Sequence, residues 1–288
     1  MKLAVASGKG GTGKTTVSVN LARTLGRAVH LLDCDVEEPN AHLFLQGRLT
    51  KEETVALAIP QVDETLCDGC GECGRFCEFH AIVSFGTAPL VFPELCHGCG
   101  GCARVCPQKA ISEVDKRIGV VETLQAEAIT LTQGRLDVGV AMAPPLIRAV
   151  KDALHDDQLA ILDAPPGTSC PVIATLREVD YVLLVTEPTP FGLHDLKLAV
   201  DMVRELGLPF GVVVNRMGSG DLRTHDFCRT EKIPILLEIP DDRRIAEAYS
   251  RGELMVDALP EYRHLFQGLL EKTGLSPQSQ FNASEVHP

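Results

Sequence analysis

The cysteines give this chain its clearest chemical pattern. Of its eleven cysteines, eight fall between Cys67 and Cys106, in two runs that share the spacing C-x2-C-x2-C-x3-C. The runs lie in an internal repeat, residues 66–82 and 95–111, and both copies end in Ala-Ile. In a reducing compartment, thiols grouped this closely are metal ligands rather than disulfide partners. The repeat therefore predicts a small, duplicated metal-binding module.

The spacing within each run resembles that of the two-cluster bacterial ferredoxins, in which the fourth cysteine of a run ligates the other cluster. The resemblance implies two 4Fe-4S clusters. One would be bound by Cys67, Cys70, Cys73 and Cys106, and the other by Cys96, Cys99, Cys102 and Cys77. Glu78 stands where the second copy has Pro107, which removes no ligand. A pair of zinc sites is the alternative, although zinc motifs usually separate two C-x2-C pairs by a longer spacer.

A second group of reactive residues lies in the glycine-rich segment SGKGGTGKTT, residues 7–16. It fits the phosphate-binding pattern G-x4-G-K-[ST], with an apolar strand before it and a helical pattern after it. Backbone N–H groups of such a loop cradle phosphate oxygens, Lys14 can reach the terminal phosphates, and the Thr15 hydroxyl can ligate Mg²⁺. The predicted nucleotide-binding residues here are Gly8, Gly10, Gly11, Thr12, Gly13, Lys14, Thr15 and Thr16.

Lys9 is a second lysine in the same loop, one residue after the first glycine. Since Lys14 already serves the phosphates, Lys9 has no evident role within one subunit. The octapeptide KGGTGKTT resembles the deviant P-loop of the MinD/ParA/Mrp ATPases, a superfamily in which the extra lysine contacts the nucleotide of a partner subunit. The resemblance implies catalytic roles for Lys9 and Lys14 in a homodimer, or in a heterodimer with a related ATPase. A solvated loop lysine is the alternative.

Further segments resemble parts of the same ATPases. Asp33 and Asp35 end the segment LLDCD, and the resemblance implies that Asp35 activates the attacking water while Asp33 supports Mg²⁺. Asp163, in LAILDAPPGT, resembles an aspartate that holds Mg²⁺ through water, and Gly167 would place its N–H near the γ-phosphate. Asn215 would hydrogen-bond adenine, unless it is a simple turn residue. The run after Asn215 lacks the aspartate that a guanine site needs, which favours ATP over GTP.

Short apolar runs alternate with helical patterns and place these residues at the ends of strands. KLAVAS, AVHLLDCD, LAILDAP, YVLLVTE and FGVVVNR have the composition of strands buried on both faces. The alternation predicts an α/β protein with a doubly wound, mostly parallel sheet, the P-loop NTPase domain, over residues 1–61 and 118–275. An inserted small α+β ferredoxin-like domain is predicted over residues 62–117, and a flexible tail over residues 276–288.

Charge and hydropathy argue against two classes of partner. The formal net charge is −12, whereas nucleic-acid binding requires clustered Lys and Arg. No apolar run approaches the roughly 20 residues that span a bilayer, and the first residues form a strand pattern rather than a leader. We therefore expect a cytoplasmic protein without nucleic-acid or membrane partners.

Three cysteines lie outside the two runs. Cys34 and Cys228 have the surroundings of ordinary buried thiols. Cys170 lies seven residues after Asp163, a spacing that resembles that of the cysteine bridging a cluster between subunits in the nitrogenase iron protein. A bridging cluster at Cys170 is therefore a hypothesis, although the chain has no clear equivalent of the second cysteine that such a bridge requires.

The resemblances imply an ATP-hydrolysing dimeric switch that gates electron transfer through two 4Fe-4S clusters to a partner protein. An iron–sulfur cluster assembly or carrier ATPase of the Mrp type is the alternative. A positioning ATPase of the MinD/ParA kind is a third hypothesis. It predicts DNA or membrane binding, which the charge and the last helical segment do not favour.

Overall fold

The computed structural model describes residues 1–155 and 158–274. In these residues eleven strands are present, and nine of them form one sheet in the order β11-β10-β9-β1-β8-β2-β7-β6-β3. The strands are β1 Lys2–Ala6, β2 Val29–Asp33, β3 Arg48–Val62, β4 Ile82–Val83, β5 Leu90–Val91, β6 Ile111–Ala126, β7 Ile129–Leu136, β8 Ala160–Asp163, β9 Tyr181–Thr186, β10 Phe210–Met217 and β11 Ile235–Pro240.

The same described residues contain ten α-helices, and α1, α4, α5, α6 and α7 connect strands of the sheet. They are α1 Lys14–Leu25, α2 Glu72–Phe76, α3 Gly101–Val105, α4 Ala143–Lys151, α5 Cys170–Leu176, α6 Pro190–Glu205, α7 Arg223–Thr230, α8 Arg243–Ser250, α9 Met255–Ala258 and α10 Arg263–Lys272. Helices that connect parallel strands pack on the faces of a sheet and bury it.

From β11 to β7, neighbouring strands pair in parallel. Helices cover both faces of this part of the sheet. Val17 of α1 and Phe266 of α10 belong to the apolar core on one face, and Leu146 of α4 and Val200 of α6 belong to the core on the other. Burial on both faces explains why these strands are continuous apolar runs in the sequence. The predicted α/β fold with a mostly parallel sheet is confirmed.

Two long antiparallel strands, β6 and β3, extend the sheet beyond β7. β6 pairs with β7 only over Gly119–Ala126, whereas its pairing with β3 continues to Ile111. Residues 56–62 and 111–118 therefore project past the sheet as a two-stranded arm, about 25 Å long at about 3.3 Å per residue. β3 runs in the same direction as the parallel strands, so the arm leaves the sheet at their carboxyl edge.

The tip of the arm carries residues 63–110, which we call the insert. The insert contains α2, α3 and the β4–β5 hairpin, packed around Cys73, Ile82 and Ile111. Helices α2 and α3 each follow a glycine with positive φ, Gly71 at 74° and Gly100 at 68°. The sequence repeat is therefore also a structural repeat. The expected boundary at 117 falls within β6, and the expected tail at 276–288 lies outside the described residues.

Candidate functional site

The glycine-rich loop connects β1 to the first turn of α1, and close packing fixes its path. Gly13 precedes α1 with φ at 96°, and a Cβ atom there would lie 2.3 Å from Asn215 Nδ2. A Cβ atom on Gly8 would lie 2.1 Å from the backbone oxygen of Asp195 in α6. Both positions therefore require glycine, because the loop is pressed against neighbouring elements.

A cavity of about 400 Å³ opens over this loop, a volume within the range of small-molecule sites. The predicted residues that line it are Gly10, Gly11, Gly13, Lys14, Thr15, Thr16, Asp35 and Asn215. The other predicted residues of this site are not among the lining residues: Gly8, Lys9, Thr12, Asp33, Asp163 and Gly167. The loop has the features of a phosphate-binding segment, since α1 begins there with backbone N–H groups that have no partner within the helix; phosphate binding by it stays a prediction.

The rest of the cavity lining was not predicted as binding residues from the sequence. It consists of Glu38, Asn40, Pro166, Arg216, Pro240, Asp241, Asp242, Ile245, Ala246 and Tyr249. Much of this lining follows β11, at the carboxyl edge of the sheet, where ligands of α/β proteins bind. The apolar run ILLEIP could have indicated that strand, but its position beside β10 depends on the strand order.

Two buried carboxylates lie side by side below the loop, because Asp33 pairs with Asp163 in the register of β2 and β8. Burial, followed by the charge of Asp33, raises the pKa of Asp163 to about 8. In the described chain neither carboxylate oxygen of Asp163 has a well-formed hydrogen bond, although Thr15 and Ser18 lie beside it. An unpaired buried carboxylate next to a phosphate-binding loop fits a divalent cation, whose charge would compensate it.

Asp33 has a different environment from that of Asp163. Its Oδ1 accepts from the backbone N of Asp35 at 3.1 Å, and its Oδ2 accepts from Asn40 N at 2.9 Å and Ala41 N at 3.0 Å. Burial is the main cause that raises its pKa, and these three hydrogen bonds oppose it. In this structure Asp33 therefore holds the loop that carries Asp35, and its expected role toward Mg²⁺ stays a prediction.

Asp35 lines the cavity and is positioned by that loop. Burial, followed by the negative charge of Asp33, raises the pKa of Asp35 to about 6, against the lowering influence of Lys14. A carboxylate with a pKa near 6 is ionised at neutral pH and is a better proton acceptor than an ordinary aspartate. These properties suit the general-base role expected for Asp35.

Lys9 is engaged within its own subunit. Its Nζ lies 3.2 Å from Glu187 Oε2, and Arg216 Nη1 lies 2.8 Å from Glu187 Oε1. Glu187 follows β9 and its side chain is only 10% exposed. It therefore joins the loop lysine to a residue that lines the nucleotide cavity. Glu187 could not be identified from the sequence, because nothing in the run TEPT distinguishes it from a surface glutamate.

Asn215 is hydrogen-bonded to the glycine-rich loop, and Gly167 is hydrogen-bonded to the residue that begins the loop segment. Asn215 Nδ2 donates to Thr12 O at 2.8 Å, and its Oδ1 accepts from Arg216 N at 2.9 Å. The backbone N of Gly167 donates to Ser7 O at 3.0 Å. Asn215 thus supports the loop while facing the cavity. Contact between Gly167 and a γ-phosphate would require its present hydrogen bond to break.

The predicted cluster ligands fall into two groups in space. Cys67, Cys70, Cys73 and Cys106 line one cavity, and Cys77, Cys96, Cys99 and Cys102 line another. These are the two crossed sets that the spacing implied. In the described residues no group of three His, Cys, Asp or Glu side chains converges closely enough to hold a single metal ion. A four-iron cluster is larger than one ion, so its thiolates stand farther apart than the ligands of a single ion. The cavity of the second set has a volume of about 360 Å³ and that of the first set about 10 Å³, so of these two cavities only the second has room for more than about one water molecule.

The remaining cysteines differ in exposure. Cys34 and Cys228 are buried, and burial raises the pKa of the Cys228 thiol to about 11 and that of Cys34 further. Both have the buried environment expected of inert thiols. Cys170 is exposed at the first position of α5. The bridging role suggested for it stays a prediction.

Comparisons with known proteins agree with this fold. The model of the CobQ/CobB/MinD/ParA nucleotide binding domain matches residues 3–255. An uncharacterised protein of Methanocaldococcus jannaschii is 32% identical over 259 residues, which cover 88% of this chain and 90% of that protein. The iron–sulfur cluster carrier protein of Pyrococcus horikoshii is 27% identical over 274 residues, covering 87% of this chain and 77% of the relative.

Among solved structures, the septum site-determining protein MinD of Pyrococcus horikoshii, complexed with Mg-ADP, has a TM-score of 0.60 and 22% identity. The match covers 94% of this chain and 95% of that one, and it supports the fold alone. The chain belongs to the CobQ/CobB/MinD/ParA nucleotide-binding family, and it is a P-loop ATPase, as its loop and cavity indicate. No helix in residues 1–155 and 158–274 is long and apolar enough to cross a membrane.

Proposed function

We propose that this protein is an ATP-hydrolysing iron–sulfur protein that delivers 4Fe-4S clusters and works as a two-subunit switch. The observation that supports this best is that each expected set of four cysteines lines a cavity of its own in the insert. Cys67, Cys70, Cys73 and Cys106 would hold one cluster, and Cys77, Cys96, Cys99 and Cys102 the other. Bound clusters of this kind supply one-electron transfer when they are retained and are the cargo when they are delivered.

The residues of the nucleotide cavity have separable tasks in ATP hydrolysis. Lys14 and the loop N–H groups would hold the phosphates, and Thr15 with Asp163 would hold Mg²⁺. Asp35 would accept the proton of the attacking water, which its raised pKa favours at neutral pH. Asn215 would lie beside the adenine, at the wall completed by the residues after β11.

Lys9 would complete the site of a second subunit. In the single chain it is paired with Glu187, so its transfer to a partner would require that ion pair to open. The arm carries the insert beyond the carboxyl edge of the sheet, which is also the edge that holds the glycine-rich loop. Assembly across the nucleotide sites would therefore take place on the same side of the molecule as the cluster sites.

Two relatives that match most of this chain support delivery as the use of the clusters. They are named iron–sulfur cluster carrier protein and cytosolic Fe-S cluster assembly factor Nubp2 homolog, and each is 27% identical to this chain. A carrier needs a site that holds a cluster and a step that releases it. The ATPase cycle is a suitable source of that step, because assembly and hydrolysis alternate.

Electron transfer gated by ATP is the second candidate. It is favoured by two observations: each set has four cysteines, and each contains one buried cysteine, Cys73 in the first and Cys96 in the second. A complete and partly buried ligand set retains its cluster, as an electron-transfer protein requires.

The deciding experiment is anaerobic reconstitution followed by incubation with an apo-protein that needs a 4Fe-4S cluster. We expect about eight irons per chain, and transfer of iron to the acceptor that depends on ATP. Iron that stays on this chain while ATP changes the reduction rate of the clusters would favour electron transfer instead. A chain that binds no iron under these conditions would refute both functions.

A further inference from the structure

A row of polar side chains crosses the sheet at the level of the buried carboxylates. Asp33 faces Asp163 in the register of β2 and β8, and on its other side it faces Gln133 of β7. Gln133 in turn faces Glu122 of β6. Residues opposite each other on neighbouring strands present their side chains on the same face of a sheet. The row Asp163–Asp33–Gln133–Glu122 therefore extends from the nucleotide site to a strand of the arm, over three strand spacings or about 14 Å.

The two ends of this row hold different parts of the molecule. At one end, Asp33 holds the loop that carries Asp35 through three hydrogen bonds from backbone N–H groups. At the other end, Glu122 Oε2 accepts from Gln133 Nε2 at 2.8 Å, and Glu122 Oε1 accepts from Arg135 Nη2 at 2.7 Å. Glu122 belongs to the part of β6 that still pairs with β7, next to the residues 111–118 that form the arm. Gln133 therefore stands between the loop of the expected general base and the base of the arm.

The row is not fully hydrogen-bonded in this structure. Gln133 is only 4% exposed, and its Oε1 has no hydrogen-bond partner among residues 1–155 and 158–274. In the same part of the chain, the ring Nδ1 of His42 is also buried without a partner. His42 follows Ala41, whose N–H donates to Asp33, and it lies close enough to the Asp33 and Glu122 carboxyl groups to interact with both electrostatically. Because buried polar groups without partners are rare in native proteins, the row has the capacity for a second hydrogen-bond arrangement.

We propose that Gln133 is a positioning residue that couples the nucleotide site to the arm. Occupation of the nucleotide cavity fixes the loop of Asp35, and with it Asp33 and His42 at one end of the row. A His42 Nδ1–H that then donates to Gln133 Oε1 completes the hydrogen bonding of the row and holds Glu122 in place at the base of the arm. The coupling is reciprocal, because whatever stabilises the arm must also favour the occupied nucleotide site.

This inference deepens the proposed switch and rests on its nucleotide site, whereas cluster binding is tested separately by the iron content of the same protein. The experiment is hydrogen exchange of the full chain, with and without Mg²⁺ and a non-hydrolysable ATP analogue. We expect the analogue to slow exchange in the glycine-rich loop. We also expect it to slow exchange of amides 111–118 by about fivefold, at the lower end of the usual coupling between sites. Unchanged exchange in the arm of a chain whose loop is protected would overturn the inference and leave cluster delivery untouched.

The variant Gln133→Met assigns the effect to the row, because it removes the hydrogen bonds of this side chain and keeps its length. The analogue should bind this variant with unchanged affinity and still protect the loop, but the change at residues 111–118 should be lost. Protection of the arm by a dimer interface would persist in the variant, and that result would refute the proposal. If Gln133→Met fails to fold, Glu122→Met interrupts the row at its next member and carries the same expectation.

The matched control is Gln125→Met, which changes another glutamine of the β6–β7 pair. Gln125 Nε2 donates to the backbone oxygens of Glu127 and Ile129, and these hydrogen bonds lie outside the row. The control should therefore keep the response of the arm to the analogue. If Gln125→Met lost that response as completely as Gln133→Met, the coupling would belong to the strand pair in general, and the role assigned to Gln133 would be wrong.

Discussion

The ion pair between Lys9 and Glu187 makes a quantitative prediction about dimerisation. Lys9 cannot contact a partner's nucleotide while it is paired 3.2 Å from Glu187 in its own subunit. The lysine side chain is 32% exposed and the glutamate side chain is 10% exposed. The burial of this ion pair is therefore intermediate between that of a surface pair and that of a fully buried pair. Taken at the upper end of the range of free energies for exposed ion pairs, this pair stabilises the unassembled subunit by about 1 kcal/mol. A symmetric dimer opens two such pairs, which costs about 2 kcal/mol.

The change Glu187→Gln removes that cost while it keeps the size of the side chain. We expect the ATP-dependent dimer of the variant to be about 30-fold tighter, because 1.4 kcal/mol corresponds to a factor of ten in Kd. The measurement is sedimentation of the protein over a range of concentrations, with a saturating non-hydrolysable ATP analogue. The variant Lys9→Ala should fail to dimerise under the same conditions.

The matched control is Arg216→Gln, because Glu187 also pairs with Arg216 at 2.8 Å. This variant removes the second ion pair and leaves Lys9 paired, so its dimer affinity should stay near that of the unmodified protein. Unchanged or weaker dimerisation of Glu187→Gln would refute the idea that Glu187 restrains Lys9. If Arg216→Gln strengthened dimerisation as much as Glu187→Gln, the effect would be assigned to the lining of the nucleotide cavity, to which Arg216 belongs.

Three further predictions concern the loop and its neighbours. The pKa of Asp163 is raised, so its ionisation opposes folding. The melting temperature of the metal- and nucleotide-free protein should therefore fall as the pH rises from about 4 to about 8. The variant Asp163→Asn should show a smaller fall of melting temperature with pH, and it should lose Mg²⁺-dependent ATP hydrolysis. Asn215→Ala removes the hydrogen bond to Thr12 O and should weaken ATP binding about fivefold, from about 1 kcal/mol, as measured by calorimetry. Gly8→Ala should lower the free energy of unfolding in urea by about 1–3 kcal/mol, because its new methyl group meets Asp195; an unchanged unfolding midpoint would contradict the close packing there.

The parts of this protein that follow local rules were predictable from the sequence. KLAVAS followed by the glycine-rich segment predicted β1, the loop and α1, because strand, glycine pattern and helical spacing lie together in the chain. The buried strands β2, β8, β9 and β10 were also predicted, since strands covered on both faces have continuous apolar runs. The cysteine spacing, through its resemblance to two-cluster ferredoxins, predicted two crossed sets of four cluster ligands. The members of each set line a common cavity, and their binding of clusters stays a prediction.

The parts that depend on tertiary neighbours were not predictable in the same way. Much of β3 is the polar run RLTKEET, and its pairing partner β6 is also largely polar toward the tip, so neither has the alternation of a half-buried strand. Glu187 gains its role only because the fold brings Lys9 and Arg216 to it. The wall after β11 faces the cavity because β11 lies at one edge of the sheet, a position that only the complete strand order defines.

The arm has a mechanical consequence that follows from its register. The pairing of β3 with β6 shifts between Val55 and Ala56, at the point where support from β7 ends. Such an irregularity weakens the ladder locally and lets it bend. A bend of about 10° there would move the tip of an arm about 25 Å long by about 4 Å. The register shift can therefore act as a hinge. A small change of backbone angle there, at the edge of the sheet, would displace both cysteine sets by several ångströms.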